Sequence, residues 1–201
     1  QNLLTNPVRL LVAGETVHSQ DAVYSQVSFI GTRPQLLGVA EIIDGERVEQ
    51  PKDFSVKNAY PLRDQHNLML ALMFPEAFEP ARRFDISADD LRFVHRWMST
   101  YAGESGIEAY ADSTRYPPGY VKFLMYGGKA TSIPEHIRIF NKVGDAYGFL
   151  TDTAYVVDFR NNVEFVLSAT IYTNDNQTFN DGEYEYDEIG LPFLRDLGQA
   201  I

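Results

Sequence analysis

The chain has 201 residues, of which 44% are hydrophobic, and its 28 Asp and Glu outweigh 17 Lys and Arg to give a net charge of −11. The basic residues are scattered, so no cationic stripe is available to neutralise a nucleic-acid backbone, and no apolar run is long enough to span a membrane. There is no cysteine, which excludes disulfides, thiolate metal sites and a cysteine nucleophile.

Residues 1–60 contain short β-type runs broken by glycine, and Asp44-Gly45 between "VAEII" and "RVEQP" predicts a hairpin. Residues 61–128 read as helical. "DQHNLMLALMF" carries Leu68 and Leu72 on one face and stops at Pro75. In "FDISADDLRFVHRWMSTYAGES", Ser87 is the expected N-cap with Asp90 three residues on, a capping box that uses Asp in place of Glu or Gln. Leu91, Val94, Met98 and Tyr101 follow at helical spacing, and Gly103 closes the segment. A further helix is expected over "PGYVKFLMYGG", with Pro118 near its start and Gly127 at its end.

From residue 129 to 201 the period changes to two. "HIRIFNKV", "DTAYVVDF" and "NVEFVLSATIY" predict three strands, with Asn161-Asn162 turning between the last two. "TNDNQTFNDGEYEYDE" reads as a solvated acidic loop without the glycine of an EF-hand. "LPFLRDLGQAI" predicts a closing helix with Leu191, Leu194, Leu197 and Ile201 on one stripe. The fold class expected is α+β, an antiparallel sheet with packed helices. Aromatic residues such as Phe140, Tyr155, Phe159 and Phe165 are expected to belong to the core. The four histidines, His18, His66, His95 and His136, lie at no metal-ligand spacing, so packing roles are expected and no metal or other cofactor is implied.

One strand carries the chemistry. Alternation along "IRIFNKVG" puts Ile137, Ile139, Asn141 and Val143 on one face and Arg138, Phe140, Lys142 and Gly144 on the other. An isolated strand lysine more often snorkels at an edge. The nearby Gly144 alters that weighing, because glycine in a strand marks close approach of a ligand or another backbone. A cation beside open backbone N–H groups suits a carboxylate or a developing oxyanion.

The segment "NKVGDAYGFLTDTAYVVDF" resembles the Lys-Thr-Gly strand and its successor in penicillin-recognising serine hydrolases, the β-lactamases and D,D-peptidases. Gly148 and Asp152 also fit that pattern. The resemblance runs from about Leu62 to Ile201, and "TNPVRL" near the start fits more loosely. It implies a β-lactamase/transpeptidase-like sheet that is incomplete at its N-terminal side. Lys142 would then hold a substrate carboxylate and influence protonation, with Val143 and Gly144 also lining the substrate. The backbone N–H of Asp145 would be one oxyanion donor.

Val143 stands where that family has Thr or Ser, so the hydroxyl that helps bind the carboxylate is lost. None of the ten serines is followed by lysine three residues later, so the family's Ser-x-x-Lys nucleophile motif is missing. "YTN" at Tyr172–Asn174 follows the lysine strand instead of preceding it, and reads as a strand end. With Gln1 as first residue and Ile201 inside a helical pattern, the expectation is the C-terminal portion of one hydrolase domain, inactive alone. Its partners would be a small-molecule or peptide substrate and the missing N-terminal part of its own chain. The resemblance implies a periplasmic or exported protein. The alternative is a non-catalytic binding or interaction module that retains the fold.

Overall fold

The computed structural model describes residues 3–4, 6–25, 36–55, 57 and 60–201. Backbone contacts divide the chain into two units, residues 1–35 and 36–201. The first holds β1 (Leu3–Leu4), β2 (Val8–Val12), β3 (Glu15–Gln20) and β4 (Tyr24–Ser25), with β1 pairing β4 and β2 pairing β3, both antiparallel. Ala13 and Gly14 both take positive φ (51° and 86°) between β2 and β3, as a two-residue hairpin turn requires. Part of the β-type run expected before residue 36 lies outside the described residues.

The second unit opens with β5 (Leu36–Leu37), β6 (Ala40–Ile43), β7 (Glu46–Val48) and β8 (Lys52–Asp53). Asp44 and Gly45 turn β6 into β7 at φ 52° and 86°, the expected hairpin. Helices α1 (Leu62–Met73) and α2 (Ala88–Ser99) follow. The capping box of α2 forms as read: Asp90 N–H donates to Ser87 Oγ at 3.1 Å, and Ser87 N–H donates to Asp90 Oδ2 at 3.0 Å. Then come β9 (Ile137–Ala146), β10 (Phe149–Asp158), β11 (Val163–Tyr172), β12 (Thr178–Phe179) and α3 (Leu191–Gln199). Helices with antiparallel sheets make this an α+β arrangement.

The three long strands form an antiparallel sheet in the order β11-β10-β9. Register between β9 and β10 is unbroken from Ile137↔Asp158 to Ala146↔Phe149. One face carries Ile139, Val156, Ala154 and Leu150, all fully or almost fully buried, and packs against Leu194 of α3 and against Leu124, which lies outside that helix. Each such aliphatic side chain contributes about 1.5–3 kcal/mol by leaving water. On the other face, α1 lies over β10 and β11 while α2 lies over β9. His66 Nδ1 meets Ser168 Oγ at 2.8 Å and His95 Nε2 meets the Leu72 carbonyl at 2.8 Å, so both histidines pack helices and strands together.

Three expectations are corrected. Residues 118–127 are a succession of turns instead of a helix. Val121 (φ 53°), Met125 (φ 68°), Gly127 (φ 61°) and Gly128 (φ 71°) all take left-handed conformations, which an α-helix cannot contain. The physical reason is Asp152, whose Oδ2 accepts the Phe123 and Leu124 N–H groups at 3.1 and 3.0 Å and bends the segment around the carboxylate. The acidic loop is partly interior: Thr173, Asn174, Thr178 and Phe179 are buried. Its β12 pairs parallel with β6, because the Phe179 ring finds an edge-on partner in Phe54 at 5.2 Å. Phe159 lies outside the core and is 69% exposed, since it follows the last residue of β10.

Candidate functional site

Hydrogen bonds at the start of β9 establish which backbone groups face away from β10. Ile137 N–H donates to the Pro134 carbonyl at 2.9 Å, the Ile137 carbonyl accepts the Tyr101 hydroxyl at 2.9 Å, and the Ile139 carbonyl accepts Lys122 Nζ at 3.1 Å. His136 faces inward, its carbonyl accepting Phe159 N–H at 2.9 Å. In an antiparallel ladder the outward groups recur at every second residue. The N–H groups of Asn141, Val143 and Asp145 therefore continue the same outward edge. The first half of that edge is covered, and the half that ends at Asp145 is exposed.

The four residues singled out from sequence thus stand together at the open end of an edge strand. Lys142 and Gly144 project on the α1 and α2 face, and Val143 and Asp145 on the α3 face. The Lys142 ammonium donates to the neighbouring Val143 carbonyl. A side chain added at Gly144 would meet nothing within 4 Å, so the strand surface there is free for approach. Gly148, in the turn that follows, is held by geometry: its φ is 79°, its N–H donates to the Tyr186 hydroxyl at 2.8 Å, and a Cβ would come within 2.9 Å of the Thr173 carbonyl.

A cleft of about 900 Å³ lies on the Asp145 side, between the turns of residues 113–131, the end of β9 and the π-turn Tyr186–Gly190 that leads into α3. Its volume falls in the range of small-molecule sites. Val143, Leu150 and Leu191 supply apolar wall, and Tyr120 and Tyr186 add rings with hydroxyls. Three of its charged groups are already engaged: Lys129 pairs with Asp187 at 2.7 Å and Arg115 lies over the Tyr116 ring at 5.3 Å.

Behind the strand lies a polar cluster that sequence reasoning missed. Lys122 is 2% exposed, and its Nζ donates to the Met98 carbonyl (2.9 Å), the Ile139 carbonyl (3.1 Å) and Asn141 Oδ1 (2.6 Å). Asn141 Nδ2 donates to the Val121 carbonyl at 2.8 Å and to Asp152 Oδ1 at 3.0 Å. Burial pushes the Asp152 carboxyl up to about 6, against the pull of the Leu124 N–H, Asn141 and the Lys122 charge. Burial likewise lowers Lys122 to about 8, with Asp152 opposing. The hydrogen bonds around the two groups are what make their burial tolerable. The available signal was a lysine inside the apolar run "YVKFLM", a place where lysine is buried only with partners. Lys122, Asn141 and Asp152 lie outside the lining of the cleft, so their part is to fix β9 against the turns at 119–128.

Among the described residues, no group of three or more His, Asp or Glu is placed to hold a metal ion, and no helix is long and apolar enough to cross a membrane. Comparison with protein-family models, with curated proteins and with solved structures returned no match.

Proposed function

We propose that this chain is the C-terminal part of a β-lactamase-like serine hydrolase, acting through an acyl-enzyme on an amide, peptide or ester. Its Ser-x-x-Lys nucleophile would be contributed from outside these residues. The observation that carries the reading is the uncovered end of β9, where a cation, an unobstructed glycine and outward N–H groups succeed one another over Lys142–Asp145. An acyl group laid along this edge would place its carboxylate near Lys142. The oxyanion formed on attack would receive the Asp145 N–H, an interaction realised most strongly in the transition state. Val143 offers no hydroxyl to that carboxylate, which favours a substrate other than a β-lactam. A periplasmic or exported setting follows from the same resemblance.

The rest of such a domain would have surface to cover. Phe93 and Trp97, stacked edge to face at 6.2 Å, are 63% and 40% exposed on α2. Among the described residues, no strand pairs with the outer edge of β11. A binding module that keeps the fold without catalysis is the second reading, favoured by Val143 and by the lack of Ser-x-x-Lys in this sequence.

The test separates backbone from side chain. In the full-length protein, Asp145→Pro removes the N–H and should slow acylation by about 10²–10³-fold, far more than Asp145→Ala, which keeps it. Folded Asp145→Pro protein that acylates at the wild-type rate would overturn the assignment.

A further inference from the structure

Between β11 and α3 the chain runs through an acidic stretch: residues 172–189 hold six carboxylates and no lysine or arginine. Asp187 is paired with Lys129 at 2.7 Å, and Asp181 accepts Asn176 Nδ2 at 2.8 Å. Among the described residues, Asp175 and Glu185 form no ion pair. Glu185 Oε2 instead accepts the Asp175 N–H at 3.2 Å, which closes the loop that contains β12. Such a cluster alone is a solvated surface.

A buried amide beside it points further. A cavity of about 320 Å³ opens at this closure, bordered by Asn174, Asp175 and Glu185, and every residue lining it except Ile189 has a polar side chain. None of them is cationic. Asn174 is only 4% exposed. Its Nδ2 donates to the Tyr172 hydroxyl at 3.1 Å, and its main-chain carbonyl accepts the Gln177 N–H at 3.1 Å, yet its Oδ1 has no partner. Buried amide oxygens nearly always accept a bond, and one left over calls for a group that supplies positive charge. A water would fill that oxygen but leave the two carboxylates uncompensated. A divalent cation answers both.

We propose that this cavity binds a calcium ion through Asn174 Oδ1 and the Asp175 and Glu185 carboxylates, with water completing the shell. Oxygen-only donors on an irregular loop suit Ca²⁺, which tolerates variable geometry, better than Mg²⁺, which demands an octahedron. Torsion about the Asn Cβ–Cγ bond is soft, so a small turn of the amide presents its oxygen to the ion. Two carboxylates balance the ion's charge, and so few charged ligands place the affinity at about 10⁻⁴–10⁻³ M. The ion would tie Asn174 and Asp175 to Glu185, immediately before the π-turn whose Tyr186 hydroxyl holds Gly148. The site is independent of the hydrolase reading, and its binding test requires no acylation.

The experiment is a titration of the full-length protein, cleared of metal with EGTA, with Tb³⁺ under excitation of tyrosine. Tyr172 lines the cavity and sensitises an ion bound there. CaCl₂ then displaces the Tb³⁺, with MgCl₂ and NaCl as controls. Saturable emission is expected, displaced by Ca²⁺ and at least about tenfold less readily by Mg²⁺. Glu185→Gln, which keeps an oxygen for the Asp175 N–H, and Asp175→Asn should each weaken Ca²⁺ by about tenfold or more, because ligand charge tunes such sites. Asn174→Leu removes the amide oxygen at similar volume and should weaken it too, with its melting temperature in EGTA reporting the fold. Glu183→Gln, exposed and outside the cavity, should bind like the wild type. The proposal is overturned if the emission does not saturate, or if Glu185→Gln, Asp175→Asn or folded Asn174→Leu binds Ca²⁺ like the wild type. Equal weakening by Glu183→Gln would overturn it as well, by marking a diffuse acidic surface. If Asn174→Leu does not fold, the two carboxylate variants decide.

Discussion

At the scale of single residues, Asp152 ties stability to pH. Its carboxyl is held up to about 6 by burial, above the ordinary 3.8. A raised acid contributes stability that is fully present below its unfolded value and is lost as pH rises through its folded value. The stability difference between wild type and Asp152→Asn should therefore shift against the wild type as pH rises from about 4 to about 6. Urea midpoints of both proteins across that window measure it, and a flat difference would contradict the buried-carboxylate account. Lys122 has the opposite sense: lowered to about 8, it adds stability as pH climbs from there towards the ordinary lysine value. The sequence made Lys142 and Gly144 conspicuous because they interrupt an apolar strand. It hid Lys122 and Asn141, because a buried polar pair is defined by partners 19 residues apart in the chain, and no local period records such a partner.

At the scale of elements, regular local chemistry was legible and competition with tertiary contacts was not. The α2 cap, the Asp44-Gly45 turn and the three long strands follow from rules that act within a few residues, and all form. Ser87→Ala should therefore cost about 1 kcal/mol, read as a drop in thermal or urea stability with α2 as the first helix to fray; no change would mean that the box is idle. Residues 118–127 fail as a helix despite Pro118 and Gly127, because Asp152 takes two of the segment's N–H groups. The same override explains β12: an isolated Phe179 in an acidic stretch carries little strand signal until Phe54 and β6 are nearby. For the edge of β9, side-chain alternation was readable beforehand. Which backbone groups face outward was decided only by the bonds from Pro134, Tyr101 and Lys122.

At the scale of the molecule, the unit formed by residues 36–201 is layered: α1 and α2, then the three-stranded sheet, then α3 with the turns at 117–131. The candidate site lies where one sheet edge is left open between these layers, with the cleft on its Asp145 side. The hydrolase reading requires this edge to meet a nucleophile that none of the ten serines in the chain supplies through Ser-x-x-Lys. The decisive measurement is intact-mass spectrometry of the full-length protein after exposure to a fluorophosphonate, with residues 1–201 alone as control and a labelled penicillin as a second probe. The account predicts one adduct per full-length molecule, mapped to a serine outside these residues, and none on the control. A folded full-length protein that neither probe labels, or an adduct on a serine within residues 1–201, would contradict it.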